Sequence, residues 1–244
     1  MDKNYEKKYH EFEDHHFWFK ARRNYIIQLL KTTNRNSKIL DVGCSSGLLL
    51  RDLAEIGFNP KHLFGIDISE KAIENCKKNG LKNCFVMSGE TITIEEQFDI
   101  IIASDCLEHI KNDSAALQSW KQNLKTEGKL YVFVPAFKSL WSHHDEVNMH
   151  CRRYSRKQLV DLLKDNALKI EKSGYWNFSL FIPVYILRHL SNFFLNKGSV
   201  QSNGNLYRIG FLNTFLLALL NLENKTLKYL KFPFGISTYT IAKK

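Results

Sequence analysis

The residues best suited to chemistry stand in one turn, Asp41-Val-Gly-Cys-Ser-Ser-Gly47, which follows the short apolar run Lys38-Ile-Leu40. An acid, a glycine, three short residues and a second glycine predict a strand closing on Asp41 and a helix opening near Leu48. Gly43 and Gly47 lack a Cβ, so the backbone there can pass close beneath a bound ligand. Twenty residues after Gly47 a second apolar run, Leu63-Phe-Gly-Ile66, ends in Asp67 and is followed by Ile68. A carboxylate at such a strand end suits the paired hydroxyls of a ribose. Asp41, Gly43, Cys44 and Gly47, with Asp67 and Ile68, thus describe a nucleoside pocket.

The glycine spacing then separates two kinds of cofactor. A dinucleotide fingerprint needs three glycines as G-x-G-x-x-G, so that helix amides can reach a pyrophosphate. Cys44, Ser45 and Ser46 fill the interval here, and the triplet is missing. A ligand with ribose and adenine but no pyrophosphate fits better. On these residues the chain resembles the class I S-adenosylmethionine-dependent methyltransferases, in their small-molecule and quinone-type branch, with Ser45 where that family has the middle glycine of its turn. The motifs that carry the resemblance run from about residue 38 to 135.

The resemblance implies S-adenosyl-L-methionine as cofactor. It also implies a Rossmann-like, doubly wound α/β sheet of seven strands with an antiparallel last strand. An acidic contact to adenine is implied after the third strand, where Gly89 and Glu90 stand. Ser104 and Asp105, after the fourth strand, are expected beside the methionine part. N-terminal helices lie over the cofactor in similar enzymes, which implicates Trp18 and Arg22, since an aromatic face tolerates a sulfonium by cation–π attraction.

The methyl acceptor should enter beyond Asp105, where Glu108 and His109 follow. An imidazole titrates near pH 6.5, so His109 is the candidate base for a hydroxyl acceptor; the plainer alternative is a pocket-shaping role. Asp105, Glu108 and His109 also have the i, i+3, i+4 spacing of a shared helical face. Some quinone-pathway O-methyltransferases associate that spacing with a divalent ion, but we expect pocket elements and assign no metal. After the fifth strand, Leu140 to Tyr154 concentrates His143, His144, His150, Arg152, Arg153 and Tyr154 in one loop. Packing alone rarely explains such density on a loop, and paired arginines suit a phosphate or carboxylate, so these six are the expected acceptor contacts. No Asn-Pro-Pro-Tyr or Asp-Pro-Pro-Tyr follows the fourth strand, which disfavours methylation of a nucleic-acid base amine.

The elements that position these residues follow from the alternation of apolar runs with amphipathic ones. Strands are expected near 38–42, 62–67, 83–87, 98–103, 129–134, 168–175 and 236–242, with helices near 47–56, 69–79, 112–124 and from Ser155 onward. The 244 residues are read as one methyltransferase domain. Residues 1–35 form aromatic-rich N-terminal cap helices, 36–175 plus 234–244 the core, and 176–233 a helical insertion before the last strand. Asn196 to Asn205 reads as a loop.

Composition narrows the partners. At 44% hydrophobic with 4 prolines, the chain has the means to bury a core. The five cysteines form no C-x-x-C pair, and the first residues carry no apolar leader, so a reduced cytoplasmic setting is expected. Net charge is +10, yet residues 176–244 hold eight Lys/Arg against one acid, Glu223. That segment is also strongly apolar. Nucleic acid is therefore disfavoured, and a small-molecule or lipid-linked acceptor is expected, with peripheral contact to an anionic membrane surface. An RNA methyltransferase and a non-catalytic cofactor-binding scaffold are the alternative readings, and a homo-oligomer contact through the apolar helices stays open.

Overall fold

The computed structural model describes residues 10, 12–195 and 210–244. The loop expected at 196–205 and the start of the N-terminal segment lie outside the described residues. Seven strands form one sheet: β1 (Ile39–Val42), β2 (Leu63–Asp67), β3 (Asn83–Val86), β4 (Phe98–Ser104), β5 (Leu124–Pro135), β6 (Lys169–Trp176) and β7 (Ser237–Lys243). Their order is β3-β2-β1-β4-β5-β7-β6. Neighbours from β3 to β5 pair in parallel, whereas β7 runs antiparallel to both β5 and β6. This is the Rossmann-like, doubly wound sheet with an antiparallel last strand that the sequence resemblance implies. β1 is buried at every position, as a central parallel strand covered on both faces must be.

Helices α1 (Phe17–Leu29), α2 (Leu48–Glu55), α3 (Glu70–Lys78), α4 (Asp113–Gln122), α5 (His143–Val147), α6 (Arg156–Asp165), α7 (Phe181–Leu195) and α8 (Phe211–Thr226) complete the fold. One core face gathers Tyr25, Leu50, Ile73 and Leu220 from α1, α2, α3 and α8. The opposite face gathers Trp120, Leu159 and Leu163 from α4 and α6. The crossovers from β1 turn one way and those from β4 the other, so the ends of β1 and β4 flank a crevice. Local signals behave as their chemistry predicts. Ser69 caps α3 by accepting from Ala72 N at 3.0 Å, and Ser155 with Gln158 forms a reciprocal capping box on α6.

The segment between β6 and β7 is not a detached lid. α8 lies against α1, where Asn224 Nδ2 donates to Ala21 O at 2.9 Å and Gln28 Nε2 donates to Asn224 O at 2.7 Å. Glu223, the lone acid of the basic stretch, accepts from Phe178 N, Ser179 N and the Ser179 hydroxyl at 2.7–3.0 Å. Its charge is thus spent on starting α7, and α8 is a working part of the main body.

Candidate functional site

The turn after β1 keeps the conformation its glycines allow. Gly43 and Gly47 adopt φ of +75° and +73°, and Ser45 joins them at +48°. The reason for glycine is partly internal. A Cβ on Gly47 would lie 2.4 Å from Leu81 Cδ1, and one on Gly43 would lie 3.1 Å from Cys106 Cβ. The glycines thus also let the turn pack onto the protein behind it, and Gly43 lines the cavity described next. Ser45 holds a left-handed conformation that costs a non-glycine residue roughly 1 kcal/mol, and its amide is tied to Asp67 Oδ2 at 2.9 Å.

Beneath α1, at the ends of β1 and β4, lies a partly open cavity of about 80 Å³. Glu13, Phe19, Arg22, Asp41, Ser104 and Asp105 line it, as do Gly43 and Cys44. Arg22 is buried, with its guanidinium 4.2 Å above the Trp176 ring. Its Nη1 reaches Asp105 Oδ2 at 3.2 Å and Ser104 Oγ at 3.3 Å, and Nη2 donates to Ser237 Oγ at 2.7 Å. Its Nε is buried without a hydrogen-bond partner. Burial pushes the Asp41 carboxyl up to about 8, with Cys84 and Asp67 adding to the effect. A guanidinium with an unfilled donor and a buried acid on one cavity fit the α-carboxylate and α-ammonium of an amino-acid ligand. An arriving ammonium would draw Asp41 back to its charged form.

The residues expected at the ribose and adenine, Asp67, Ile68, Gly89 and Glu90, stand after β2 and β3, outside the lining of that cavity. Asp67 accepts from Ser45 N and Ser69 N, each at 2.9 Å, and burial nevertheless leaves its pKa raised. Two bonds leave its oxygens further capacity, since a carboxylate offers about four acceptor sites. Ile68 beyond it is 74% exposed, an apolar face with nothing upon it among the described residues. Gly89 sits where a Cβ would meet Val42 Cγ1 at 2.9 Å, and its carbonyl accepts from Trp120 Nε1 at 2.7 Å, which fixes the turn carrying exposed Glu90.

Trp18 is a correction. It lies edge-on to Trp176 at 5.4 Å and packs on the core instead of lining the cavity. Phe19, one residue on, faces the cavity in its place. Two residues that the pattern did not single out close over the turn: Glu13 Oε2 accepts from Ser45 Oγ at 2.7 Å, and His10 Nδ1 lies 2.9 Å from Ser46 Oγ. Their position on the aromatic N-terminal segment was the available signal.

The loop after β5 is built around Asp145, which is fully buried. Asp145 accepts from Ser142 N at 2.9 Å, from His150 Nδ1 at 2.8 Å and from Arg153 Nε at 2.8 Å, with Arg188 Nη1 at 3.6 Å. These partners overcome the cost of burial and hold its carboxyl far below the ordinary range. Arg153 also donates to Ala136 O at 2.9 Å and is 2% exposed, so it braces the loop and is not available to an acceptor. Tyr154 is buried and donates to Asp113 Oδ2 at 2.8 Å. Arg152 pairs with the same Asp113 oxygen at 2.5 Å. These two, with Arg153, are structural members, contrary to the sequence expectation. His143 is exposed at the start of α5 and pairs with Glu146. Burial keeps His144 neutral, pulling it down to about 3.

What remains on the acceptor side is a small imidazole group. His109 and His150 meet edge-to-face with centroids 4.6 Å apart. Burial, and then the neighbouring His150 ring, pull His109 down to about 4. Glu108 is fully buried with neither carboxylate oxygen hydrogen-bonded, and burial pushes it well above the ordinary range. Ligand atoms of Glu108, His109 and His150 lie within 4.8 Å of one another. Asp105 takes no part in that group; it is turned to Arg22, so the i, i+3, i+4 set does not assemble.

Residues 14–173 match a family model described as a methyltransferase domain. The ubiquinone biosynthesis O-methyltransferase of Glaesserella parasuis is 29% identical over 166 residues, covering 63% of this chain and 63% of that protein. The match thus spans less than two thirds of the relative's length. Among solved structures, the methyltransferase complexed with the Haloferax volcanii Trm112 methyltransferase activator superposes with a TM-score of 0.63 at 13% identity, over 98% of this chain and 94% of that one. The magnesium protoporphyrin IX methyltransferase of Synechocystis PCC 6803 with bound S-adenosylhomocysteine gives 0.56 at 14% identity, over 91% and 82%.

Proposed function

The chain belongs to the methyltransferase-domain family and is an S-adenosylmethionine-dependent enzyme, and from that premise we propose that it methylates a hydroxyl oxygen on a small-molecule or lipid-linked acceptor. Bound S-adenosylmethionine supplies an electrophilic methyl group on a sulfonium. The chain's residues have three tasks. Asp41 and Arg22 hold the amino-acid end, while Asp67, Ile68 and Glu90 hold the nucleoside end. Phe19, Ile26 and Leu49 keep water from the cavity between them.

The third task is to take the acceptor's proton, and the observation that carries the reading is the Asp145–His150 pair. Asp145 stays ionised, so His150 Nδ1 must carry the proton that bonds to it, leaving Nε2 as an oriented acceptor. His109, drawn down to about 4, is a weak base at neutral pH and serves as a contact to the acceptor. His144 and His143 flank this pair. The Glaesserella parasuis relative is named an O-methyltransferase, which agrees with an oxygen acceptor.

The surface supports a lipid-linked acceptor presented at a membrane. Ile182, Ile186 and Leu187 on α7 and Phe211, Leu212 and Phe215 on α8 are 50–93% exposed. Lys225, Lys228 and Lys231, at and beyond the far end of α8, are exposed. An apolar face with a basic margin is what an anionic bilayer attracts. No described helix is long and apolar enough to cross a membrane, which suits peripheral contact. The test is transfer from methyl-labelled S-adenosylmethionine into a total lipid extract. Label in the organic phase, much reduced in His150→Gln with cofactor affinity kept, supports the reading. No label in the organic phase, or an unchanged rate in His150→Gln, overturns it.

A further inference from the structure

Behind the cofactor turn, Cys44, Cys76 and Cys84 converge from three different elements: the turn itself, α3 and β3. All three are buried, with their sulfurs within 4.8 Å of one another and Cys44 Sγ 3.9 Å from Cys76 Sγ. Two thiolates that share a zinc ion at 2.3 Å bonds in tetrahedral geometry stand about 3.8 Å apart. The closest pair is therefore already at the required separation.

The surroundings keep this space open for sulfur. A Cβ on Gly65 would lie 2.8 Å from Cys44 Sγ, and one on Gly47 would lie 2.9 Å from Cys76 Sγ. Two glycines thus make room for the sulfurs. No Asp, Glu or His ligand atom belongs to this group, so hard cations that require oxygen have little to bind. We propose that Cys44, Cys76 and Cys84 form a trigonal-thiolate site for a soft d10 cation such as Zn2+, which ties the cofactor turn to α3 and β3. On binding, three thiol protons are released and three S–metal bonds form, with no change of oxidation state. Entry requires only local opening, because β3 is the edge strand and α3 is a nine-residue helix.

Cadmium is the informative probe, since sulfur-to-cadmium charge transfer reports thiolate ligands and is silent for the Glu108, His109 and His150 group. The protein to use is full-length Cys151→Ser, which removes the exposed thiol. The expected result is an ultraviolet charge-transfer band that saturates at one Cd2+ per chain and fails to form at that ratio in Cys84→Ala. Binding of S-adenosylhomocysteine by Cys84→Ala shows that the variant is folded. Alkylation in mild urea, read by mass spectrometry on the unsubstituted chain, should show Cd2+ protecting residues 44, 76 and 84 while Cys106 keeps its rate. Cadmium bound without the band, a band that survives in Cys84→Ala, or equal alkylation with and without Cd2+ overturns the site.

Discussion

Replacing Asp145 with Asn tests whether the loop after β5 is held by one buried charge. The carboxylate faces two guanidiniums, Arg153 at 2% and Arg188 at 12% side-chain exposure, and the His150 ring at 7%. The amide keeps the shape but removes the charge that Arg153 and Arg188 share. Breaking such a buried pair costs about 3–5 kcal/mol, a large share of the roughly 5–15 kcal/mol by which a domain is stable. With a urea slope of about 2–3 kcal/mol per molar, the midpoint should fall by about 1–2 M. Partial recovery is expected in Asp145→Asn with Arg153→Met, because the second change removes one of the two cations. The variant should also lose turnover, since His150 Nδ1 no longer has an anionic partner. Urea unfolding followed by circular dichroism, beside initial rates, gives both readouts. A midpoint within 0.3 M or so of the parent, well below the span expected from the denaturant slope, would refute the charge-centred account of the loop.

Asp67→Ala should weaken S-adenosylhomocysteine binding by about 1–3 kcal/mol, the loss of hydrogen bonds to a charged acceptor; calorimetry with unchanged affinity would discard the ribose assignment. Gly47→Val should prevent the turn from closing, because its Cβ would meet Leu81 Cδ1 at 2.4 Å, and the check is a collapsed thermal transition. Acid should act in two windows. His16 and His109 are drawn to about 4 and His144 to about 3, each chiefly by burial, while the unfolded chain binds their protons from about 6.5. Stability is therefore complete above about pH 6.5 and falls as pH drops toward 4; Asp145, depressed from 3.8, adds a further loss below that value. A urea midpoint flat from pH 7 to 4 would contradict the burial of these rings. Phe211→Ser with Phe215→Ser should abolish salt-sensitive co-sedimentation with anionic liposomes. Leu216 and Leu217 pack inward on the core and are the wrong pair for that test.

The sheet was legible because its parallel strands are short apolar runs punctuated by Gly43, Gly47, Asp67 and Ser69. Each of these does locally what its residue type allows. The strand β7 was legible through its β-branched alternation even though a long helical segment separates it from β6. Of the expected residues, Asp41, Ser104 and Asp105 reach the cavity from strand ends and Arg22 reaches it from α1. The loop after β5 misled because histidines, arginines and acids look alike whether they await a ligand or one another. The partner that decides the matter for Arg153 is Asp145, helped by Arg188 on α7, 43 positions away in sequence and joined only by tertiary packing. The choice between Trp18 and Phe19 is a one-residue rotation on α1, and it needed Trp176 to be in place.

The central claim is that a methyl group from S-adenosylmethionine is placed on oxygen. The most direct test is carbon NMR of the product formed from 13C-methyl S-adenosylmethionine, the purified chain and a total lipid extract. The account predicts a new resonance in the methoxy region, partitioning with lipid and absent with His150→Gln. A resonance in the N-methyl or C-methyl region, or label that stays on the sulfonium, would contradict it.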